Sequence, residues 1–331
     1  MTTTSVLDHP DVRSNIDLLS AWIESQLAYR GWPGLSIAIV HDRDAVWSRG
    51  FGWADVAGKV PATADTLYRV ASITKTFTAT AILQLRDAGK LRLDDEVRQH
   101  LPWFTPPTSY EDAPPITLRH ILTHTTGLAR EAPFPYWTNL EFPTIDAIRA
   151  AVPAQASVLA TEDRWKYSNL AFVVAGEVVA AVSGMPWAAY VRSHILDPLG
   201  MRASTVENPA PSHPALARGH TRRLPNGERG PVGAYDLRGI SAAAALTTST
   251  ADLARFVALQ FHRGAADGDR ILRGSTLREM QRVHWLEPEW QAGWGSDFTC
   301  TAPGSARWWA MADRCAATAR TSDSARPSAS A

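Results

Sequence analysis

A helix that passes directly into a tight antiparallel hairpin limits this chain to few architectures. Residues 11–29 place Ile16, Leu19, Ile23 and Leu27 at helical spacing, and Gly31 with Pro33 closes the run. In GLSIAIVHDRDAVWSRGFG, apolar Leu35 to Val40 form one strand, His41 to Asp44 turn, and Ala45 to Gly52 return. A helix followed by antiparallel strands points to an α+β sandwich rather than a parallel sheet. From Thr66 the pattern turns helical, with a long apolar helix that starts at Ser72 and ends near Gly89. The segment ITLRHILTHTTGL gives a short helix turning at Gly127, and Pro133 to Pro143 reads as a surface loop. Apolar helices follow over Asn169–Ser183 and Pro186–Leu199, then a hairpin signal at Asn226-Gly227. Ser249 is the expected N-cap of the next helix, with Asp252 at the capping-box position. STLREMQRV is a further helix, and QAGWGSDF begins a strand. The fold expected is an antiparallel sheet flanked by helices, with an inserted all-helical lobe over about residues 76–250.

Composition removes several classes of function. The 331 residues are 45% apolar and 20% charged, enough for one domain over about residues 11–298 with a substantial core. Lys plus Arg equals Asp plus Glu at 33 each, so charge gives no reason to expect nucleic acid or an anionic membrane as partner. The two cysteines, Cys300 and Cys315, make no disulfide framework and have no metal-ligand spacing to a histidine pair. The first residues lack the basic and apolar regions of a signal peptide, and no apolar run approaches a membrane span. A cytoplasmic location is the expectation, with no metal and no cofactor.

The chemistry-bearing residues fall in two places. Ser72 and Lys75 in ASITKTF lie three apart, on one face of a helix and one turn from each other. A serine at a helix start gains from the positive end of the macrodipole, and a desolvated lysine beside it can act as base toward its hydroxyl. About a hundred residues on, RWKYSNLAF sets Tyr167 and Asn169 either side of Ser168 at the mouth of a buried helix. Alternate residues of an extended segment point the same way, so phenol and carboxamide are expected to face one cleft. His124, in LTHTTGL, is expected to be structural, and the thirteen tryptophans to line core and cleft wall.

The blocks VASITKTFTATAILQL, ITLRHILTHTTGL and RWKYSNLAFVVAGEVV, in this order and spacing, resemble those of the serine β-lactamase and penicillin-binding-protein superfamily. The resemblance is closest to its class C-like branch, which also holds esterases and D-amino acid peptidases, and it runs from about Trp22 to Phe298. It implies a β-lactamase/transpeptidase-like fold and an acyl-enzyme reaction on a small ester, amide or β-lactam. It implies Ser72 as nucleophile, Lys75 as its proton acceptor, Tyr167 as general base and acid, and Asn169 as a holder of substrate or of Lys75. The backbone N–H of Ser72 would supply half of an oxyanion hole. A non-catalytic remnant that holds a ligand in the same cleft is the alternative.

The resembled family also carries a Lys-Thr-Gly or His-x-Gly strand shortly after the AGWGSDF strand, where this chain reads ARWWAMADRC. From Thr299 to Ala331 there is no Val, Ile, Leu, Phe or Tyr, so residues 299–331 are expected to be a disordered tail without strands. Read back to codons from the last base of Trp308, the segment opens Val-Gly-x-Gly and admits Val-Gly-His-Gly-Gly-Ser. A shift of reading frame between about Phe298 and Arg307 is therefore expected. The C-terminal strands would then be missing, and weak activity would follow from the lost oxyanion donor, worth roughly 2.7–4 kcal/mol.

Overall fold

The computed structural model describes residues 6–261, 271–286, 292–296, 299–301 and 308–310. Pro10 suits a first helical turn, where its missing N–H costs nothing, and Gly31 ends the helix in a left-handed conformation; between them runs α1 (Pro10–Arg30). The hairpin follows as β1 (Gly34–His41) and β2 (Asp44–Asp55), antiparallel with Gly34 opposite Gly52 and Ile37 opposite Arg49. β3 (Val60–Pro61) pairs with β2 on its far side. Ile23 and Leu27 of α1 close with Phe51 over Leu35, Ile37 and Trp47, a small core on one face of this sheet.

β4 (Tyr68–Arg69) pairs with β5 (Thr247–Thr248), so the chain leaves the sheet region for the helical lobe and returns to it at one place. Inside that excursion a 3-10 turn, Ala71–Ile73, leads into α2 (Thr74–Asp87). The lobe continues through α3 (Val97–His100), α4 (Leu118–Thr123), α5 (Tyr136–Asn139) and α6 (Ile145–Ala151). After it come α7 (Asn169–Ser183), α8 (Trp187–Val191) and α9 (Ser241–Ala244). Then α10 (Thr250–Leu259) lies against β1 and β2, and α11 (Gly274–Met280) follows.

α7 is the axis of the lobe. It carries a single charge, Glu177, and is buried over most of its length, as a helix apolar on every side must be. α2, α4, α8 and α9 pack around it. At Gly176 an added Cβ would come within 2.3 Å of Ala242 Cβ, so the glycine sets how closely α9 approaches. Among the described residues no single helix is long and apolar enough to cross a membrane.

The expected mixture of sheet and helical lobe is present, and three local expectations need correction. Pro133 to Pro143 is more than a surface loop: it contains α5, Tyr136 is buried against Phe142, and Phe142 stacks on Tyr235. Its proline content reads as loop, but its rings bury as core. The Asn226-Gly227 turn forms, with Gly227 at φ 86°, and backbone hydrogen bonds cross it from Leu224 N–H to Glu228, Thr221 N–H to Gly230 and Val232 N–H to Gly219. The pairing amounts to one antiparallel bridge, His220 to Pro231, rather than two full strands. Ser249 caps α10 as expected by accepting from Asp252 N–H, but the Asp252 carboxylate accepts from Ala203 N–H and Ser204 Oγ instead of completing a capping box.

A further correction, beyond those three, concerns the tail. β6 (Trp285–Leu286), β7 (Ala292–Trp294), β8 (Thr299–Thr301) and β9 (Trp308–Ala310) form a four-stranded antiparallel sheet in that order. Strands therefore do occur after Phe298, with Cys300 opposite Trp309. Thr and Trp are good strand formers, and a ladder needs paired backbone groups rather than Val or Ile. Residues 302–307 and 311–331, including Cys315 and most of the expected tail, lie outside the described residues. Among the described residues no strand pairs with the outer edge of β1.

Candidate active site

Ser72 sits in the 3-10 turn that opens α2, half-buried, while Lys75 one turn along is fully buried. The turn is strained at Ala71, whose φ of 44° is a left-handed value that costs a non-glycine residue about 1–2 kcal/mol. Lys75 Nζ donates to Ser72 Oγ at 2.9 Å and to the Ala243 carbonyl at 2.8 Å. Tyr167 OH donates to the same Ser72 Oγ at 2.6 Å. Lys75 Nζ also lies 4.9 Å from the centre of the Tyr167 ring and 5.8 Å from that of Phe172. Three residues picked from two distant sequence blocks thus converge on one oxygen.

Their convergence depends on how the start of α7 is held. Ser168, extended at φ −139°, caps α7: its Oγ accepts from Ala171 N–H at 3.0 Å and donates to the Ala129 carbonyl at 2.7 Å. The N–H groups of Asn169 and Leu170 both donate to the Arg130 carbonyl. Asn169 Nδ2 donates to Glu131 Oε1 at 2.7 Å. The stretch Ala129–Glu131 therefore satisfies helix-end groups that would otherwise be orphaned. That stretch is placed in turn by Gly127, at φ 71°, where a Cβ would fall 2.1 Å from the Leu159 carbonyl oxygen.

His124 belongs to this support. It ends α4 in a left-handed conformation, and its Nδ1 accepts from Ser168 N–H at 3.2 Å. Its ring lies tilted against Tyr167 at 4.5 Å and Phe172 at 5.1 Å. Burial, then the positive charges of Lys75 and Arg130, hold its pKa well below the ordinary imidazole value. Arg130 covers the outer side of the Tyr167 ring at 4.8 Å and pairs with Glu131 at 3.3 Å. Trp165, two residues before Tyr167, stacks on Trp294 of β7 with centroids 3.8 Å apart and planes 13° off parallel. The C-terminal sheet is thereby tied to the segment that carries Tyr167.

Ser72, Lys75 and Tyr167 are brought together as the sequence led one to expect. Asn169 follows Tyr167 by two residues, but no hydrogen bond joins it to the three: its amide nitrogen is bound to Glu131, a partner the sequence did not announce, and its Oδ1 has no hydrogen-bond partner among the described residues. Glu131, Arg130 and the Ala243 carbonyl were all missed. The first two left one signal, an adjacent pair of opposite charges directly after the Gly127 turn. Among the described residues no group of three or more His, Cys, Asp or Glu is placed to hold a metal.

Comparison with known proteins matches this geometry to a family. The sequence profile described as Beta-lactamase spans residues 19–312. Esterase EstB of Burkholderia gladioli is 33% identical over 204 residues, 58% of this chain and 52% of that protein. The chain spans about half the length of the curated relatives it matches. The D-stereospecific amidohydrolase of a Streptomyces species superposes with a TM-score of 0.69 at 29% identity, over 86% of this chain and 83% of that one. The octameric penicillin-binding protein homologue of Pyrococcus abyssi superposes at 0.73 with 28% identity, over 86% of this chain and 65% of that one. With the profile running from α1 past β9, and whole-lobe superpositions beside it, the chain belongs to the Beta-lactamase family.

Proposed function

We propose that this chain is a serine hydrolase that acts through an acyl-Ser72 intermediate on a small ester, amide or β-lactam. The observation that carries the reading is the placement of Lys75 Nζ and Tyr167 OH within hydrogen-bond reach of one Ser72 Oγ. A serine held by two proton-transfer groups is built for nucleophilic attack. In the reaction, Ser72 Oγ bonds to the substrate carbonyl carbon while its proton passes to the Lys75 amine or a Tyr167 phenolate. The tetrahedral intermediate collapses as the C–O or C–N bond breaks, and the leaving group takes up a proton from Tyr167. Water, giving its proton to Tyr167, then releases the acid and restores Ser72. The N–H of Ser72 at the start of α2 is the proposed oxyanion donor.

The names of two relatives, an esterase and an amidohydrolase, support the substrate class. The assembled hydrogen bonds favour catalysis over a ligand-binding remnant, which would have no need of a lysine buried against a serine. The test is covalent labelling of the purified chain with a fluorophosphonate, followed by peptide mass spectrometry. An adduct on Ser72 that disappears in Ser72→Ala, with the melting temperature unchanged, is the expected result. A cooperatively folded chain that takes no adduct would overturn the reading.

A further inference from the structure

We propose that Glu131 is a positioning residue for the acylation site, acting through Asn169; the proposal rests on the hydrolase reading above. A side-chain amide has two nearly isosteric ends, one donor and one acceptor, and either can face a neighbour. An ionised carboxylate can only accept. Glu131 Oε1 therefore takes Asn169 Nδ2 at 2.7 Å and fixes the amide with its nitrogen turned toward Glu131. The other carboxylate oxygen, Oε2, accepts from Tyr136 OH at 2.5 Å, and Arg130 Nε lies 3.3 Å from Oε1. Held from three sides, Glu131 has little freedom to release the amide.

What the clamp leaves is Asn169 Oδ1. Asn169 is 5% exposed, and this oxygen is buried with no hydrogen-bond partner among the described residues. Leaving such an acceptor unmade is unfavourable, and the fold sustains that cost here at the start of α7. Asn169 lies two residues after Tyr167 and three before Phe172 on one face of α7, and those two rings lie 4.9 Å and 5.8 Å from Lys75 Nζ. When Lys75 takes the serine proton it becomes an ammonium, and an oxygen on that face stabilises it where an NH2 group would repel it. Glu131 thus decides the sign of the dipole that the amide presents to the reacting groups.

Two measurements on the full chain test this. The first is the side-chain amide resonance of Asn169, identified by its loss in Asn169→Ala. A charge-assisted hydrogen bond shifts its proton downfield, and Glu131→Gln, which keeps the shape but removes the charge, is expected to move it back upfield. The second is the rate of fluorophosphonate labelling of Ser72 in Glu131→Gln, Asn169→Ala and the double variant. Glu131→Gln is expected to slow labelling on the order of tenfold with its melting temperature retained, and the double variant to be no slower than Asn169→Ala alone. A resonance that does not move overturns the clamp. Two single effects that multiply in the double variant overturn its action through Asn169. A wild-type chain that takes no label while the resonance does shift refutes the hydrolase reading instead, and leaves the clamp standing.

Discussion

Burial of the His124 imidazole beneath the Tyr167 ring has a consequence for stability that can be read in its sign. Its pKa lies well below 6.5, chiefly through lost hydration, so the folded chain refuses a proton that the unfolded chain accepts. Stability from this residue is complete above the unfolded pKa and falls as pH drops below about 6.5, by up to roughly 1.4 kcal/mol per pH unit. Urea unfolding between about pH 7.5 and 5.5 should show a shallower fall in His124→Asn, which tolerates the left-handed backbone and does not titrate. Equal slopes in the two proteins would refute this. The residue scale is also where the sequence was most and least legible. Ser72, Lys75 and Tyr167 could be chosen because a Ser-x-x-Lys pair followed about a hundred residues later by Tyr-x-Asn is a rare combination and resembles the blocks of a known family. Glu131 could not, because a carboxylate in a polar loop looks like a solvated charge until the fold brings Asn169 to it. The Ala243 carbonyl leaves no mark in a sequence at all.

Among the elements, α2, α8 and α9 meet at one hydroxyl. Thr78 Oγ1 donates to the Ala242 carbonyl at 2.7 Å and accepts from Trp187 Nε1 at 3.0 Å, all of it buried. The next carbonyl along α9, that of Ala243, is the one that accepts from Lys75. Thr78→Val keeps the volume but leaves one donor and one acceptor unpaired, at a cost of about 1–3 kcal/mol each. A lower denaturation midpoint together with slower labelling of Ser72 is the expected outcome, and an unchanged midpoint would show that the three helices are held otherwise. The bounds of α7 were legible because Ser168 and Gly184 punctuate an unbroken apolar run. α5 was not, since Pro133, Pro135 and Pro143 signal a loop and nothing local says that Tyr136 will be buried against Phe142, itself stacked on the distant Tyr235. Short strands such as β8 and β9 are set by pairing across the sheet, which composition does not reveal.

At the scale of the whole molecule, the first sheet, β1 to β3, and the second large one, β6 to β9, do not pair with each other among the described residues. The eight-residue, largely apolar β1 keeps one edge open there, and an edge of that kind invites a further strand. The expected change of reading frame concerns the stretch between Phe298 and Arg307, and sequencing the coding DNA from about codon 290 decides it. The second sheet is tied to the lobe by the Trp165–Trp294 stack. Trp294→Ala removes a ring pair worth about 0.5–1.5 kcal/mol beyond its buried area. Backbone amides of β6 and β7 should then exchange faster while those of α7 do not, and uniform protection across both would refute the tie. The same two indoles also give the chain an optical signature. Chromophores stacked this closely share their excitations, so the pair splits into circular-dichroism bands of opposite sign. On warming, that couplet should vanish before any helical signal is lost, timing the moment at which the terminal sheet leaves the site.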